Sequence, residues 1–382
     1  MLHLILPFFF SAAITLFVIH SARTHGHLSA DTDLSGPQKF HAAPVPRVGG
    51  LGMYLALLAL AAVVWFRGGA DAKLGFMLLF CGLPAFGAGL VEDLTKTVSP
   101  AKRLLATAVS GALAWWLLDA QITRTDVPGL DWIVATTAGS LVATVFTVAG
   151  VANSVNIIDG FNGLSSMCVS LMLMTFGFVA FQVGDIELAL WALAGVGAIL
   201  GFFVWNFPAG LIFLGDGGAY FLGFFTAEIG ILLIARHTEV SPLFPLMVCI
   251  YPVFETLFSV YRRRFIRAEP SGQPDGIHLH SLIYRRLMRW AVGARDARAM
   301  TRRNSMTAPY LWTLCVSSLA PALLFWDSTP MLLACMLLFG ATYVGIYWRI
   351  VRFRTPRWMV FRGDVMGGSA PSVRANASDK PE

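Results

Sequence analysis

Apolar runs of roughly 20 residues recur along this chain, and they limit its fold more than any other feature. A helical run of that length matches the thickness of the hydrocarbon core of a bilayer. Only 13% of the 382 residues are charged, about half the share of an ordinary soluble domain. Because helices satisfy their backbone hydrogen bonds inside a membrane, the sequence predicts an all-α polytopic membrane protein.

Eleven candidate membrane spans can be counted. The first has no basic segment before it and no small-residue cleavage site after it, so we interpret it as a retained span and not a signal peptide. An odd number of spans places the two termini on opposite sides of the membrane. The predicted spans are 2–20, 49–66, 74–91, 104–119, 131–151, 163–181, 187–205, 217–235, 242–261, 308–326 and 331–348.

Lysine and arginine predict the orientation, since the cytoplasmic connections of membrane proteins are enriched in both. All but four of the 28 Lys and Arg residues fall on one side of the predicted bilayer. The four exceptions are Arg67, Lys73, Arg124 and Arg236. The N-terminus is therefore predicted to be periplasmic and the C-terminus cytoplasmic.

A single transmembrane domain is predicted for residues 1–351, followed by a cytoplasmic tail, 352–382, whose Gly, Ser, Ala and Pro content is typical of disorder. The five cysteines lie in apolar runs without CxxC spacing, so we expect buried free thiols. The net charge of +6 lies mainly beside the membrane and not in a basic soluble domain, so no nucleic-acid partner is expected. The predicted cytoplasmic connections are 21–48, 92–103, 152–162, 206–216 and 262–307.

The first polar motif, KFHAAPVPRVGGL, places Lys39, His41 and Arg47 before the second predicted span. Basic groups beside a glycine-opened helix start suit phosphate oxygens. The alternative is a proline-rich turn that carries ordinary inner-face cations.

The second motif, GLVEDLTKTVSPAKR, ends the third predicted span with Glu92 and Asp93, and Lys96 follows one turn later. Two carboxylates at a helix C-terminus oppose the helix dipole, which favours cations there. A metal ion or a cationic partner would compensate them. The alternative is a solvated helix end with Lys96, Lys102 and Arg103 as counterions.

The third motif, NSVNIIDGFNGL, combines amides with a carboxylate. On a helix, Asn153, Asn156 and Gly160 share one side, and Asp159 lies within roughly 120° of them around the helix axis. Such a surface suits a nucleotide base, a sugar hydroxyl or a metal ion. Helix capping is the alternative, although a cap needs only one such residue.

The fourth motif, NFPAGLIFLGDGGAYFLGF, surrounds Asp216 with Gly215, Gly217 and Gly218 directly before another span. Glycines let the backbone approach a ligand closely, and a carboxylate at the mouth of a span is a functional candidate. A hard oxygen ligand of this kind suits Mg²⁺. The alternative is an ordinary helix N-cap.

The fifth motif, DGIHLHSLIYRR, lies in the longest predicted inner connection and contains His278, His280 and Arg285. The two histidines could bind zinc, but no third ligand is near them in the sequence. Phosphate binding therefore fits better. A solvated inner-face loop would explain the arginines but not the histidine pair.

Together these motifs resemble the polyprenyl-phosphate N-acetylhexosamine-1-phosphate transferases of the glycosyltransferase 4 type. The matching pieces PVPRVGGL, EDLTK, NSVNIIDGFNGL, FLGDGGAYFLG and HLHS appear in family order over about residues 39–281. Two positions depart from the family pattern. Glu92 stands where the family usually has aspartate, and Ser281 stands where it commonly has a further histidine. The second departure favours the undecaprenyl-phosphate GlcNAc-1-phosphate transferases over the phospho-MurNAc-pentapeptide transferases of peptidoglycan synthesis, which remain the alternative.

The resemblance implies transfer of a sugar-1-phosphate from a UDP-N-acetylhexosamine, first of all UDP-GlcNAc, to undecaprenyl phosphate, with release of UMP. This would initiate O-antigen or another cell-envelope polysaccharide at the cytoplasmic face of the bacterial inner membrane. It also implies Mg²⁺, with Mn²⁺ as a substitute, and is compatible with a homodimer. Asp93 could act as a general base, but a lipid phosphate is already mostly dianionic at pH 7, which favours positioning and electrostatics.

Roles follow for the residues that match the family motifs. The expected catalytic residues are Asp93, Asp159 and Asp216. The expected metal ligands are Asp216, Asn156 and Asp93. The expected substrate-binding residues are Lys39, His41, Arg47, Glu92, Lys96, Asn153, Asn156, His278, His280 and Arg285.

An ion-coupled membrane transporter is the alternative from another functional class, because broken helices and intramembrane carboxylates also mark such carriers. In a carrier the polar residues should lie near the bilayer midplane and in repeated halves. Here they gather at one predicted face, and no internal repeat is evident. A non-catalytic membrane scaffold would not need Asp216 in its glycine cradle.

Overall fold

The computed structural model describes most of the chain, but some of the sequence predictions fall outside the described residues. They are Lys39, His41, parts of the predicted connections 21–48 and 262–307, and the tail from residue 353. The described residues are 1–29, 45–267, 277–288 and 297–352.

Most of the described residues are helical, which confirms the all-α class predicted from the apolar runs. Within them, nine helices are long and apolar enough to cross a membrane, and all five cysteines are free thiols, as expected. Two π-helical turns, Arg262–Arg267 and Ile283–Met288, follow α11 and α12. The helices are α1 (Leu2–Ser29), α2 (Gly49–Phe66), α3 (Ala72–Thr95), α4 (Pro100–Leu117), α5 (Leu130–Val134), α6 (Thr137–Ile158), α7 (Leu164–Gln182), α8 (Ile186–Asn206), α9 (Gly215–Arg236), α10 (Phe244–Val248), α11 (Ile250–Tyr261), α12 (Leu279–Leu282), α13 (Ala297–Leu324) and α14 (Thr329–Val351).

Two of the eleven predicted spans are not among these nine helices. The span 104–119 corresponds to α4, which carries Lys102 and Arg103 in its first turn. The span 242–261 is broken at Cys249 into α10 and α11. Pro252 explains the break, since a proline ring clashes with the carbonyl four residues earlier and lacks an N–H to donate. The count of eleven crossings and the orientation of the termini stay predictions.

The predicted span 131–151 is displaced along the chain. Thr136 starts a new helix because its side chain accepts a hydrogen bond from the Gly139 N–H, as an N-cap residue does. From there α6 continues to Ile158. Asn153 and Asn156 therefore lie inside a membrane helix and not in the connection 152–162.

Helix α9 lies at the centre of the bundle, in contact with α2, α3, α4, α6, α7 and α8. Nearly every residue of α9 is buried, as expected for a helix that is apolar on all sides and lies inside a bundle. Its buried residues include two carboxylic acids, Asp216 in the first turn and Glu228 further along. The first turn of α9 is therefore a fixed platform on which a site can be built.

Glycines bring α2 and α3 against the start of α9. A Cβ atom on Gly50 would lie 2.4 Å from the Cα of Gly218. A Cβ atom on Gly89 would lie 2.5 Å from the backbone nitrogen of Gly217. Side chains are excluded at such distances, so the helices meet backbone to backbone, as small residues allow in membrane proteins.

The segment before α2 pairs with the segment before α9. The Phe213 N–H donates to the Pro46 carbonyl at 2.8 Å, and the Gly50 N–H donates to the Leu214 carbonyl at 3.0 Å. Arg47 lies between these two bonds. The first and the fourth sequence motifs are therefore joined through their backbones.

Candidate active site

A cavity of about 420 Å³ opens where α6, the start of α9 and the segment 277–282 approach one another. Its lining combines carboxylate and amide groups with an arginine and two histidines. This is the composition expected for a site that binds both a cation and phosphates. The polar side chains in the lining are Arg47, Asn156, Asp159, Asn162, Asn206, Asp216, His278, His280, Ser281 and Asn304.

Asp216 lines the cavity, and both of its carboxylate oxygens accept hydrogen bonds from other side chains. Oδ1 accepts a hydrogen bond from the Asn156 side-chain amide at 2.8 Å. Oδ2 accepts one from the Arg103 guanidinium, which also lies 5.8 Å from the centre of the Tyr220 ring. A buried charge is costly unless it is paired, and Arg103 provides the pairing for Asp216.

Asp93 caps the start of α9 from the neighbouring helix α3. Its carboxylate accepts the backbone N–H groups of Asp216 at 2.8 Å and of Gly217 at 2.9 Å. The first N–H groups of a helix have no partner within the helix and favour a negative charge. The alternative that Asp216 is itself the N-cap is therefore wrong, because Leu214 holds that position without a side-chain bond.

Asp159 follows the last residue of α6 and lines the cavity. The Ser165 hydroxyl donates to its carboxylate at 2.5 Å. Burial raises the pKa of Asp159 to about 6, while the bond from Ser165 and the charge of Arg47 act in the opposite direction. Asp159 is therefore mostly ionised at pH 7 and becomes protonated as the pH falls through about 6.

Two asparagines from distant helices hold the turn after Asp159. Asn206, the last residue of α8, accepts the Gly163 N–H at 2.6 Å. Asn304 of α13 accepts the Asn162 N–H at 2.8 Å. Gly163 has a φ of +73°, a conformation that favours glycine. These bonds fix the direction in which Asp159 faces the cavity.

His278 and His280 are both buried and stack on each other, with 5.1 Å between ring centres and 16° between ring planes. The edge of His280 also contacts Phe161, at 5.4 Å between ring centres. Within the described ranges, no group of three or more His, Cys, Asp or Glu side chains is arranged to hold a metal ion. The zinc alternative for the histidine pair therefore has no support from the described residues.

Several residues expected to bind substrate are not part of the described cavity lining. Asn153 is half-buried and lies about one turn before Asn156, where the cavity lining on α6 begins. Glu92 accepts the Val98 N–H at 2.7 Å and so closes the turn between α3 and α4. Lys96 and Arg285 are exposed. The structure brings together Arg47, Asn156, Asp159, Asp216, His278 and His280 from the predicted set.

Several side chains at the cavity were not predicted in their observed roles, among them Arg103 and Glu255. Four polar residues of the lining were not predicted either: Asn162, Asn206, Ser281 and Asn304. Arg103, interpreted as a counterion of a solvated helix end, binds Asp216 instead. Glu255, for which the sequence indicated no specific partner, binds His278 at 2.9 Å. The first pair is separated by 113 residues and the second by 23. The spacing of residues along the sequence does not predict contacts between side chains that only the fold brings together.

Residues 75–234 match the family described as glycosyl transferase family 4. A Bacillus subtilis (strain 168) protein named probable undecaprenyl-phosphate N-acetylglucosaminyl 1-phosphate transferase is 25% identical over 288 residues, which cover 73% of this chain and 77% of that protein. A Thermotoga maritima protein named undecaprenyl-phosphate alpha-N-acetylglucosaminyl 1-phosphate transferase is 26% identical over 282 residues, covering 73% of this chain and 81% of that protein.

A phospho-N-acetylmuramoyl-pentapeptide-transferase of Clostridium perfringens (strain SM101 / Type A) is also similar. It is 30% identical over 225 residues, which cover 56% of this chain and 66% of that protein. Asp93, Asn156, Asp159 and Asp216 all fall within the matched region. The family resemblance indicated by the sequence motifs is therefore confirmed, by the match of residues 75–234 to glycosyl transferase family 4 and by the similarity to these relatives.

Proposed function

We propose that this protein transfers an N-acetylhexosamine-1-phosphate from a UDP-sugar to undecaprenyl phosphate and releases UMP. UDP-GlcNAc is the first candidate donor, as the names of the Bacillus and Thermotoga relatives suggest. The observation that carries the proposal is the cavity, in which Asp216 and Asp159 share one space with Arg47 and two histidines. Two anionic substrates can approach each other only where cationic groups offset their repulsion.

In the proposed reaction, an oxygen of the lipid phosphate forms a bond to the β-phosphorus of the UDP-sugar. The bond from that phosphorus to the bridging oxygen breaks, and the bridging oxygen leaves with UMP. The lipid phosphate has a second pKa near 6, so it attacks as a dianion without a general base. Arg47, His278 and His280 would donate hydrogen bonds to phosphate oxygens and stabilise the transferring group.

Mg²⁺ is the proposed cofactor, with Mn²⁺ as a substitute. Mg²⁺ typically takes one or two carboxylates and completes its coordination with water and substrate phosphates. Asp216 and Asn156 are neighbours in the cavity, joined by a hydrogen bond from the Asn156 amide nitrogen to the Asp216 carboxylate. The carboxylate of Asp216 and the carboxamide oxygen of Asn156 are ligands of the kind that Mg²⁺ accepts. When bound, the ion would supply charge neutralisation at the pyrophosphate. Asp93 suits this role less well, because its oxygens already accept two backbone N–H groups.

An apolar groove supports the proposal of a lipid acceptor. The groove has a volume of about 930 Å³ and lies between α5–α6 and α9–α10. It reaches Val151 on α6, five residues before Asn156, a separation of roughly 7.5 Å along a helix. We infer that the isoprenoid chain of the acceptor lies in this groove while its phosphate enters the polar cavity.

The observations favour an enzyme over an ion-coupled carrier. Asp93 lies two residues before the end of α3, Asp159 directly follows α6, and Asp216 is the second residue of α9. The acidic residues therefore lie at helix ends, whereas the binding sites of carriers lie near the bilayer midplane. A phospho-MurNAc-pentapeptide transferase remains the second candidate, because the Clostridium relative has that name.

The test is an assay of membranes supplied with undecaprenyl phosphate, Mg²⁺ and one UDP-sugar at a time. We expect UMP release with UDP-GlcNAc and a loss on the order of 100-fold in the Asp216→Asn variant. Glu228→Gln, which alters a buried acid of the same helix away from the cavity, should leave turnover unchanged. Near wild-type turnover of Asp216→Asn at saturating Mg²⁺ would refute the metal assignment. Release with UDP-MurNAc-pentapeptide alone would identify the second candidate.

A further inference from the structure

Glu255 is a buried carboxylate that connects three separate segments of the chain. It lies on α11 and is 2% exposed. Its Oε1 accepts hydrogen bonds from Nδ1 of His278 at 2.9 Å and from the Leu279 backbone N–H at 3.1 Å. Its Oε2 accepts a hydrogen bond from the Tyr343 hydroxyl of α14 at 2.6 Å. A carboxylate with three donors is held in a single orientation.

This arrangement determines which nitrogen of His278 carries the proton. An ionised carboxylate can only accept hydrogen bonds, so the bond to Glu255 requires a proton on Nδ1 of His278. The other ring nitrogen, Nε2, lies on the opposite side of the ring from Glu255. Because His278 lines the cavity and stacks on His280, the plane of its ring is fixed as well.

We infer that Glu255 is a positioning residue for the transfer reaction, acting through His278. It would hold the imidazole so that Nε2 is directed at a phosphate oxygen of the nucleotide sugar. When Nε2 is also protonated, the positive charge of the ring is balanced by Glu255, and Nε2–H donates to that oxygen. Carboxylates that orient a functional histidine in this way are known to have large effects without touching substrate. The inference rests on the proposed function.

Glu228 provides a matched comparison for Glu255. Both are fully or almost fully buried glutamates in helices. Neither oxygen of Glu228 has a hydrogen-bond partner in the described part of the chain, and Glu228 does not line the cavity. The same substitution at the two sites therefore separates the loss of a buried carboxylic acid from the loss of a contact to His278.

The kinetic test compares Glu255→Leu, Glu255→Gln and Glu228→Gln in the UMP-release assay. We expect Glu255→Leu to lower kcat about 10- to 100-fold with little change in KM for the UDP-sugar. Glutamine keeps an acceptor oxygen for Nδ1–H, so Glu255→Gln should recover most of this loss. Glu228→Gln should match the wild type. Wild-type kcat in Glu255→Leu would overturn the inference, whereas a wild-type protein inactive with every donor would overturn the proposed function and this inference together.

A double-mutant cycle covers the case in which Glu255→Leu fails to fold. If Glu255 acts through His278, then Glu255→Ala, which removes the acceptor oxygens, should lower kcat in the wild type but have no further effect in a His278→Gln background. Additive losses would contradict the inference.

Nitrogen NMR of histidine-labelled protein tests the contact independently of turnover. We expect the wild-type His278 signal, identified by its loss in His278→Gln, to show a protonated Nδ1, and the Glu255→Leu variant to lose this preference. An unprotonated Nδ1 in the wild type would overturn the inference whatever the enzyme activity.

Discussion

The Asp93 carboxylate accepts the backbone N–H of Asp216 at 2.8 Å, so the acidic residue of the second sequence motif caps the helix that presents the acidic residue of the fourth. A second bond, from the Gly217 N–H at 2.9 Å, uses the remaining oxygen. Helices α3 and α9 therefore cannot separate without exposing the first N–H groups of α9. The position of Asp216 in the cavity depends directly on this contact.

Asp93→Asn should lower the stability of the protein as well as its activity. An asparagine keeps one acceptor oxygen but places its NH₂ group against a backbone N–H. We expect a loss of about 1–3 kcal/mol in the free energy of unfolding. The measurement is chemical unfolding in detergent at pH 7, with Asp159→Asn as a control that should not be destabilised. Unchanged stability with lost turnover would instead give Asp93 a direct part in the reaction.

Arg103→Gln should strengthen the binding of a divalent ion. The Arg103 guanidinium and a metal ion would compete for the same carboxylate of Asp216. We expect Mn²⁺ to bind on the order of tenfold more tightly, equivalent to about 1.4 kcal/mol, in an EPR titration without substrate. Lys102→Gln, which alters the exposed neighbour of Arg103, is the matched control. Equal Mn²⁺ affinity in the wild type and Arg103→Gln would show that the two cations do not compete.

Gly89→Ala should disrupt the junction of α3 and α9, whereas Gly87→Ala should not. The new Cβ at position 89 would lie 2.5 Å from the backbone nitrogen of Gly217, and one at position 87 meets no atom within 4 Å. Both glycines lie in the same helix, so the helix propensity gained is the same. We expect a lower unfolding midpoint and at least a tenfold loss of turnover, about 1.4 kcal/mol, only for Gly89→Ala. Similar behaviour of the two variants would contradict the close backbone contact.

Stability should depend on pH through Asp159. Its pKa of about 6 in the folded protein lies above the ordinary value of 3.8, so the folded state binds this proton more tightly than the unfolded state. The contribution to stability is complete below about pH 4 and is lost as the pH rises through about 6. Asp159→Asn cannot lose this proton, so its stability relative to the wild type should rise between pH 4.5 and 7.5.

Unfolding curves at several pH values for the wild type and Asp159→Asn provide the measurement. Ser165→Ala removes a hydrogen bond that lowers the pKa of Asp159, so it should move the transition to higher pH. A stability difference that does not vary with pH would rule out a raised pKa at this position.

The sequence predicted the membrane helices well because hydropathy depends on composition within one continuous segment. The predicted span boundaries were wrong where a single residue starts or interrupts a helix. Thr136 starts a helix inside a predicted span, and Pro252 breaks another span near Cys249. Threonine and proline are known signals of helix boundaries, so both boundaries could have been predicted from the sequence.

The candidate site was predicted only in part. Asp216 and Asp159 were recognisable because a carboxylate beside an apolar span is rare and costly. The role of Asp93 was not, since a carboxylate at the end of one helix does not reveal which other helix start it will meet. The same limit applies to Arg103, Glu255 and Asn304, whose partners are brought to them only by the folded bundle.

The cavity is lined by residues from inside and outside the stretch that matches the family, and this limits how chimeras with related proteins can be designed. Its carboxylates come from residues 75–234, the stretch that matches the family, whereas Arg47 precedes that stretch and His278 follows it. A chimera that exchanged only the matched stretch would join the acidic half of one parent to the cationic half of another. Because the matched stretch does not contain the whole cavity, the boundaries 75 and 234 are unsuitable as fusion points for a functional module.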